Sequence, residues 1–191
     1  MIYVDRGSRF QIVEGNGDRC ACVAEHPCAA ALAWNAFPRR IIAHTGAFVT
    51  SPKIHVLLVE DNPGDVYLIT HALELGEVPK SIHVVDDGEE ALAYLHRRGR
   101  FRRVPRPDLI VLDLNLPRVD GRTVLAELKI DPDLMTIPVV ILSSSREPSD
   151  IADAYEHHAN CYLSKPFDLS EYLDLVRAIE DYWLGCVALP V

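Results

Sequence analysis

Three short apolar runs, each followed by polar side chains, constrain the fold of this chain more than any other feature. The runs lie in residues 54–59, 108–117 and 138–142. A short continuous apolar run bounded by polar residues or proline is typical of a strand buried on both faces in a parallel sheet. Open α/β sheets form their sites at the carboxyl ends of the strands. We therefore expect a parallel sheet with a site on the residues that follow these runs.

Helical patterns separate the strands throughout residues 53–184. Two further strands are predicted at residues 81–85 and 160–164. The spacing of apolar residues predicts helices at about 66–75, 89–98, 120–129, 148–157 and 168–184. Five repeats of strand and helix imply right-handed crossovers and helices on both faces of the sheet. The predicted fold class is α/β, with a doubly wound, five-stranded parallel sheet.

Side chains with complementary chemistry follow four of the predicted strands. They are Glu60 and Asp61 after the first strand, Asp113 after the third, Ser143 after the fourth and Lys165 after the fifth. Three neighbouring carboxylates require a compensating cation, and ligation by oxygen alone favours Mg²⁺. A carboxylate beside Mg²⁺ can attack a phosphoryl group and form an acyl phosphate, while the lysine and the hydroxyl serve as donors to the transferred oxygens. Singly, such residues are commonly helix caps or solvated charges, so the argument depends on their joint placement.

Motifs at the same strand ends resemble the receiver domain of two-component response regulators, which has the CheY-like, flavodoxin-like (βα)5 fold. The motifs are residues 59–61, residues 113–117 with 120–121, Ser143, and residues 165–167. The resemblance covers about residues 54–184. It implies that Asp113 accepts a phosphoryl group, that Lys165 pairs with this group, and that the protein is not a metabolic enzyme.

The resemblance also implies the metal ligands and the residues that tune and transmit the signal. Mg²⁺ binds to Glu60, Asp61 and Asp113 and to the backbone carbonyl of Asn115. Ser143 turns toward the phosphoryl group, and Tyr162 is the aromatic switch coupled to it. Asn115 and Ser144 occupy positions that tune slow autodephosphorylation, and the Lys165–Pro166 bond is expected to be cis.

The implied function is that of a single-domain response regulator in a phosphorelay. A histidine kinase or a histidine phosphotransfer protein donates the phosphoryl group, and the added charge changes the surface around the fourth helix, fifth strand and fifth helix. Because residues 185–191 are too few for a DNA-binding helix-turn-helix, we expect the output to be a protein contact.

Local features are similar to single-domain receivers that are paired with bacterial phytochrome histidine kinases. These features are residues 62–65, the long loop before the third strand and residues 182–184. In that subgroup, dimers form through the last helices. A homodimer through the fourth and fifth helices is therefore a further expectation, although exposed aromatic residues near the end of the chain would serve equally to cap the core of a monomer.

Two other classes of protein are compatible with parts of the pattern. Aspartyl-phosphate hydrolases carry a second acid two residues after the nucleophile, where this chain has Asn115. A receiver-like binding module that is never phosphorylated is the stronger alternative. The complete set of acids, hydroxyl and lysine disfavours it, and only a phosphorylation test separates the two readings.

Residues 1–52 differ from the rest and are expected to form a disordered or loosely packed extension before a receiver domain at residues 53–191. They carry five arginines and four acids and show no sustained periodicity. Metal binding by Cys20, Cys22, His26 and Cys28 is an alternative, although the spacing matches no common zinc finger. Another is that translation begins near Val49.

Composition limits the partners and the compartment. The net charge of −9 argues against general nucleic-acid binding. No apolar stretch approaches the ~20 residues of a membrane helix, and scattered cysteines suit a reducing cytoplasm. The arginine-rich residues 97–106 are expected to be a solvated loop or a docking surface for an acidic partner.

Overall fold

The structure is a computed structural model that describes residues 2–5, 9–12 and 53–190. The chain divides into two compact units, Met1–Ser51 and Pro52–Val191. In the first unit, strand β1 (Ile2–Asp5) pairs antiparallel with strand β2 (Arg9–Ile12). This hairpin was not predicted, because each strand has only four residues. The cysteines and the histidine considered as metal ligands lie outside the described residues.

The second unit alternates strands and helices five times, as the sequence predicts. The strands are β3 (Ile54–Val59), β4 (Lys80–Val85), β5 (Leu109–Leu112), β6 (Val139–Ser143) and β7 (Cys161–Ser164). The helices are α1 (Pro63–Glu74), α2 (Gly88–Leu95), α3 (Gly121–Ile130), α4 (Pro148–Glu156) and α5 (Leu169–Ile179). None of the helices among the described residues is long and apolar enough to cross a membrane.

The five strands form one parallel sheet in the order β4-β3-β5-β6-β7. The chain leaves β3 toward one edge of the sheet to form β4, and then returns past β3 to form β5. Sites in open α/β sheets form where the strand order reverses in this way. The register pairs Val59 with Leu112, so the residues that follow β3 and β5 lie side by side at this reversal point.

The core consists of two apolar layers, one on each face of the sheet. Successive strand residues point to opposite faces, so Leu57 packs on one side and Val56 and Leu58 on the other. The first layer is covered by α2, α3 and α4, and the second by α1 and α5. All residues of β5 and β6 are buried, which confirms the prediction made from their continuous apolar runs.

Polar caps begin the helices close to the strand ends. The Asn62 side chain accepts hydrogen bonds from the backbone of Gly64 and Asp65 at 2.8 and 3.4 Å, which fixes the start of α1. Asp120 caps α3 in the same way. Gly121 follows it where a Cβ atom would collide with the carbonyl oxygen of Asp113, so only glycine permits this close approach of α3 to β5.

The last helix differs from the prediction of one helix over residues 168–184. The α-helix ends at Ile179, and Glu180–Cys186 continues as a π-helical segment. The carboxylate of Glu180 is buried and accepts a hydrogen bond of 2.7 Å from Lys80 Nζ on β4. Periodicity could not reveal this contact, because the two residues lie 100 positions apart.

Candidate functional site

The three predicted metal-binding carboxylates meet beyond the ends of β3 and β5. One oxygen each from Glu60, Asp61 and Asp113 lies within 4.8 Å of the others. Glu60 and Asp113 are buried and Asp61 is exposed. Two of the three carboxylates are thus enclosed by the protein, and the third is accessible to solvent. Such an all-oxygen set suits a hard divalent cation that keeps part of its water.

The Lys165 ammonium is buried among carboxylates. Its Nζ atom donates hydrogen bonds of 2.7 Å to Glu60, Asp65 and Asp113. The backbone N–H of Lys165 also donates to the carbonyl oxygen of Ser143 at 2.8 Å. The predicted convergence of the lysine on the acids is therefore present in the structure. Asp65 was missed as a site residue, since the sequence indicated only that it begins a helix.

The charges of the site are not balanced by protein groups alone. Burial raises the pKa of Glu60 to about 7, although the hydrogen bond from Lys165 opposes this shift. Burial acts to lower the pKa of Lys165, but hydrogen bonds to Asp113, Asp65 and Glu60 outweigh it and hold this pKa above its usual value. With Asp61, which lies beside Glu60 and Asp113, the site contains four carboxylates and one ammonium. A divalent cation would compensate most of the remaining negative charge, so the residues present fit a metal site.

The Asp113 carboxylate is fixed at both oxygens. The backbone N–H of Asn115 donates to Oδ1 at 3.1 Å, and Lys165 donates to Oδ2. The Asn115 side-chain amide lies 3.5 Å from Ser143 Oγ and 3.4 Å from Ser144 Oγ. The structure therefore brings the side chains of the two predicted tuning residues together, and the backbone of one of them bonds to the predicted phosphoacceptor. The role of the Asn115 carbonyl as a metal ligand stays a prediction.

Tyr162 points inward beside the loop that follows β6. Its side chain is buried, and its hydroxyl donates to the carbonyl oxygen of Ser145 at 3.1 Å. Burial raises the pKa of this hydroxyl, while hydrogen bonds with Ser145 and Ser143 oppose the shift. Tyr162 thus contacts Ser145, two residues after Ser143, and its role as a switch stays a prediction.

The expectation of a cis bond before Pro166 is wrong for this structure. The described residues contain no cis peptide bond, so the Lys165–Pro166 bond is trans. Proline lowers the preference for trans to about 0.5–1 kcal/mol without reversing it. The Lys165 carbonyl oxygen lies 3.5 Å from Nη2 of Arg146 in this arrangement.

A cleft of about 320 Å³ opens beside the lysine. Residues of α1, α5 and the loop between β7 and α5 line it, including Asp65, Lys165 and Tyr172. Phe167 stands at this edge with 94% of its surface exposed, and the Arg146 guanidinium lies 5.0 Å from its ring centre. Phe167 is therefore a large exposed aromatic residue next to the site.

The arginine-rich loop is separate from this site. It joins α2 to β5 and therefore lies at the opposite, amino-terminal edge of the sheet. Five of its six arginines are exposed, whereas Arg106 is partly buried and bonds to Thr136 at 2.8 Å. The hypothesis of an acidic docking partner stays a prediction.

Comparison with known proteins places these observations in a family. The family model of the response regulator receiver domain matches residues 56–177. Response regulator Rcp1 of Synechocystis sp. (strain ATCC 27184 / PCC 6803 / Kazusa) is 45% identical over 139 residues, which are 73% of this chain and 94% of that protein.

Solved structures give the same result. The phosphorylated cyanobacterial phytochrome response regulator RcpA is 48% identical with a TM-score of 0.72. The Mn(2+)-bound form of Rcp1 is 44% identical with a TM-score of 0.71. Each comparison covers 73% of this chain and 100% of the other. These matches confirm the fold and the resemblance inferred from the motifs, and the chain belongs to the family of response regulator receiver domains.

Proposed function

We propose that this chain is a single-domain response regulator that accepts a phosphoryl group on Asp113 from a histidine kinase or a histidine phosphotransfer protein. The observation that carries the proposal is the buried Asp113 carboxylate, which lies next to two acids of a cation site and 2.7 Å from Lys165. Glu60, Asp61, Asp113 and the carbonyl of Asn115 would hold Mg²⁺. When bound, the ion neutralises charge on the transferred phosphoryl group.

The proposed transfer forms one bond and breaks one bond. An oxygen of the Asp113 carboxylate attacks the phosphorus of a phosphohistidine, and the P–O bond forms as the P–N bond breaks. The imidazole leaves with the bonding electrons and takes up a proton from water. Lys165 then pairs with a phosphoryl oxygen, and Ser143 turns its hydroxyl toward another.

Hydrogen bonds support a route from the site to α4. Ser145 lies two residues after Ser143, and its Oγ donates to Asp150 in the first turn of α4 at 2.5 Å. Its carbonyl oxygen accepts the Tyr162 hydroxyl. Movement of Ser143 would therefore disturb both a contact to α4 and the position of the switch residue on β7. We propose that the surface of α4, β7 and α5 carries the signal.

The names of the relatives suggest the class of donor. RcpA is described as a phytochrome response regulator, and we propose a phytochrome-type histidine kinase as the donor for this chain. Exposed Phe167 beside the site is a suitable contact. A homodimer through α4 and α5 is proposed from the resemblance alone. The residues near the end of the chain give it no separate support, because Leu184 is buried and Trp183 packs against the core of its own chain.

We propose that the phosphorylated state ends by slow autodephosphorylation. Water attacks the phosphorus, inorganic phosphate leaves, and the Asp113 carboxylate is regenerated. Asn115 and Ser144 would tune this rate, since their side chains lie 3.4 Å apart and the Asn115 backbone bonds to Asp113. The proposed receiver domain comprises residues 53–191, and residues 1–52 are the proposed extension.

Intact-mass spectrometry after incubation with Mg²⁺ and acetyl phosphate tests the proposal. We expect the wild type to gain the mass of one phosphoryl group, and we expect chelation of Mg²⁺ or the Asp113→Asn substitution to abolish this gain. No gain under conditions that phosphorylate a known receiver would contradict the proposal and favour a phosphorylation-independent binding module.

A further inference from the structure

Asp65 is the third carboxylate on Lys165, and its role differs from that of the other two. Glu60 and Asp113 belong to the group of acids that can share a cation, and Asp65 does not. Yet its Oδ2 atom lies as close to Lys165 Nζ, at 2.7 Å, as the oxygens of the other two. Asp65 therefore binds the lysine without being one of the clustered metal-site acids.

The three partners of Lys165 respond differently to the proposed reaction. A bound cation would share the charge of Glu60, and phosphorylation would convert the Asp113 carboxylate into an acyl phosphate. Asp65 would keep both its charge and its place. We propose that Asp65 is a positioning residue, whose hydrogen bond to the Lys165 ammonium fixes the place of that group on the α1 side of its contacts with Glu60 and Asp113. This inference rests on the proposed function.

Both partners of this ion pair are anchored by their backbones. Asp65 lies in the first turn of α1, where the Asn62 side chain accepts a hydrogen bond from its N–H at 3.4 Å. Lys165 is tied to the end of β6 through Ser143. The Asp65 side chain is 22% exposed and that of Lys165 is 9% exposed, so solvent screens the pair only partly. Such a restrained, charge-assisted hydrogen bond can set the position of an ammonium group.

Loss of Asp65 should leave the lysine in the wrong place for catalysis. Lys165 would then have only Glu60 and Asp113 as partners, and no carboxylate of α1 would fix the position of its ammonium. At saturating Mg²⁺ we expect Asp65→Asn to slow phosphorylation by acetyl phosphate about tenfold, since small displacements of a positioning group are costly in rate.

A matched control separates position from charge. Glu74→Gln removes the same charge from the exposed last residue of α1 and should leave the rate unchanged. If Asp65 acted only through its charge, Asp65→Asn would weaken Mg²⁺ binding, and its effect on the phosphorylation rate would disappear when Mg²⁺ is saturating. Asp65→Glu keeps the charge and should recover part of the rate.

NMR of the metal-free protein gives a readout that does not depend on phosphorylation. The chain has only four lysines, so ¹⁵N-lysine labelling yields few ammonium signals, and Lys165→Met identifies the one from Lys165. We expect Asp65→Asn to shift this signal and to accelerate exchange of its protons with water, while Glu74→Gln does neither.

The decisive experiment combines both readouts with a double variant. We expect Asp65→Asn to slow phosphorylation in the wild type and to have no further effect in Lys165→Met. A wild-type rate for Asp65→Asn at saturating Mg²⁺, an unchanged Lys165 signal, or equal effects of Asp65→Asn with and without Lys165 would each overturn the inference. If the wild type itself is never phosphorylated, the proposed function fails, and the NMR signal still decides whether Asp65 positions the lysine.

Discussion

Two buried lysines in this domain have opposite electrostatic surroundings. Lys165 is surrounded by carboxylates, whereas the hydrogen-bond acceptors of Lys129 are neutral. Its Nζ atom donates to the carbonyl oxygens of Ile137 and Met135 at 2.8 and 3.2 Å and to Asn160 Oδ1 at 3.2 Å. Burial lowers the pKa of Lys129 from 10.5 to about 8. The ammonium of Lys129 therefore links the segment after α3 to Asn160, just before β7, and the burial of its charge opposes folding.

This cost predicts how stability depends on pH. Between pH 8 and 10.5 the unfolded state binds more protons at Lys129 than the folded state, so the contribution of this group to the free energy of unfolding rises with pH. The full effect is about 3 kcal/mol. We expect urea titrations to show that the wild type gains stability relative to Lys129→Met across this range. A difference between the two proteins that is constant or falls with pH would contradict the prediction.

At the scale of elements, the close contact between α3 and β5 leads to a second prediction. A Cβ atom at Gly121 would collide with backbone atoms of Asp113 and Leu114. We expect Gly121→Ala to lower the free energy of unfolding by about 2 kcal/mol, because one of the two elements must move. Gly185→Ala is the control, since its Cβ would lie 3.8 Å from the nearest atom, an ordinary contact. Equal stability of the two variants in urea would refute the proposed steric role.

The buried Lys80–Glu180 pair leads to a third prediction. Its side chains are only 5% and 7% exposed, so Glu180→Gln leaves the ammonium of Lys80 without its charged partner. We expect a loss of about 3 kcal/mol in the free energy of unfolding. The exposed Arg177–Asp174 pair on α5, at 60% and 72%, is the matched control, and Asp174→Asn should cost less than about 1 kcal/mol.

Thermal or urea unfolding of both variants checks this comparison. Similar small losses for Glu180→Gln and Asp174→Asn would show that the buried pair does not secure the end of α5. A large loss for Glu180→Gln alone would support the account.

The sequence predicted whole elements better than their contacts. Continuous apolar runs predict β5 and β6, because a run of this length bounded by polar residues or proline is typical of a strand buried on both faces. The end of α5 could not be predicted, since it coincides with a buried contact to a residue on β4. Asp65 was missed for a similar reason. Its capped position predicts a helix start, and only the orientation of α1 against β7 brings it to Lys165.

At the scale of the whole molecule, the site predicted from strand ends is largely the one observed. Parallel strands carry residues far apart in sequence to one edge, so Glu60, Asp113, Ser143 and Lys165 could be placed together before any contact was known. The isomer of the bond before Pro166 was predicted wrongly, because proline makes both isomers accessible and sequence alone does not choose between them.

The domain boundary leads to a fourth prediction. The family model begins at residue 56, and the second compact unit begins at Pro52. We expect a fragment of residues 53–191 to fold cooperatively and to be phosphorylated by acetyl phosphate at the rate of the full chain. A fragment that fails to fold, or that reacts several times more slowly, would show that residues 1–52 contribute to the receiver.

The most direct test of the central claim is to locate the phosphoryl group. Borohydride reduces an aspartyl phosphate to homoserine, and peptide mass spectrometry then identifies the modified residue. After incubation with Mg²⁺ and acetyl phosphate, we predict conversion at Asp113 and not at Glu60, Asp61 or Asp65. Reduction at another carboxylate, or phosphate that persists in Asp113→Asn, would contradict the assignment of Asp113 as the phosphoacceptor.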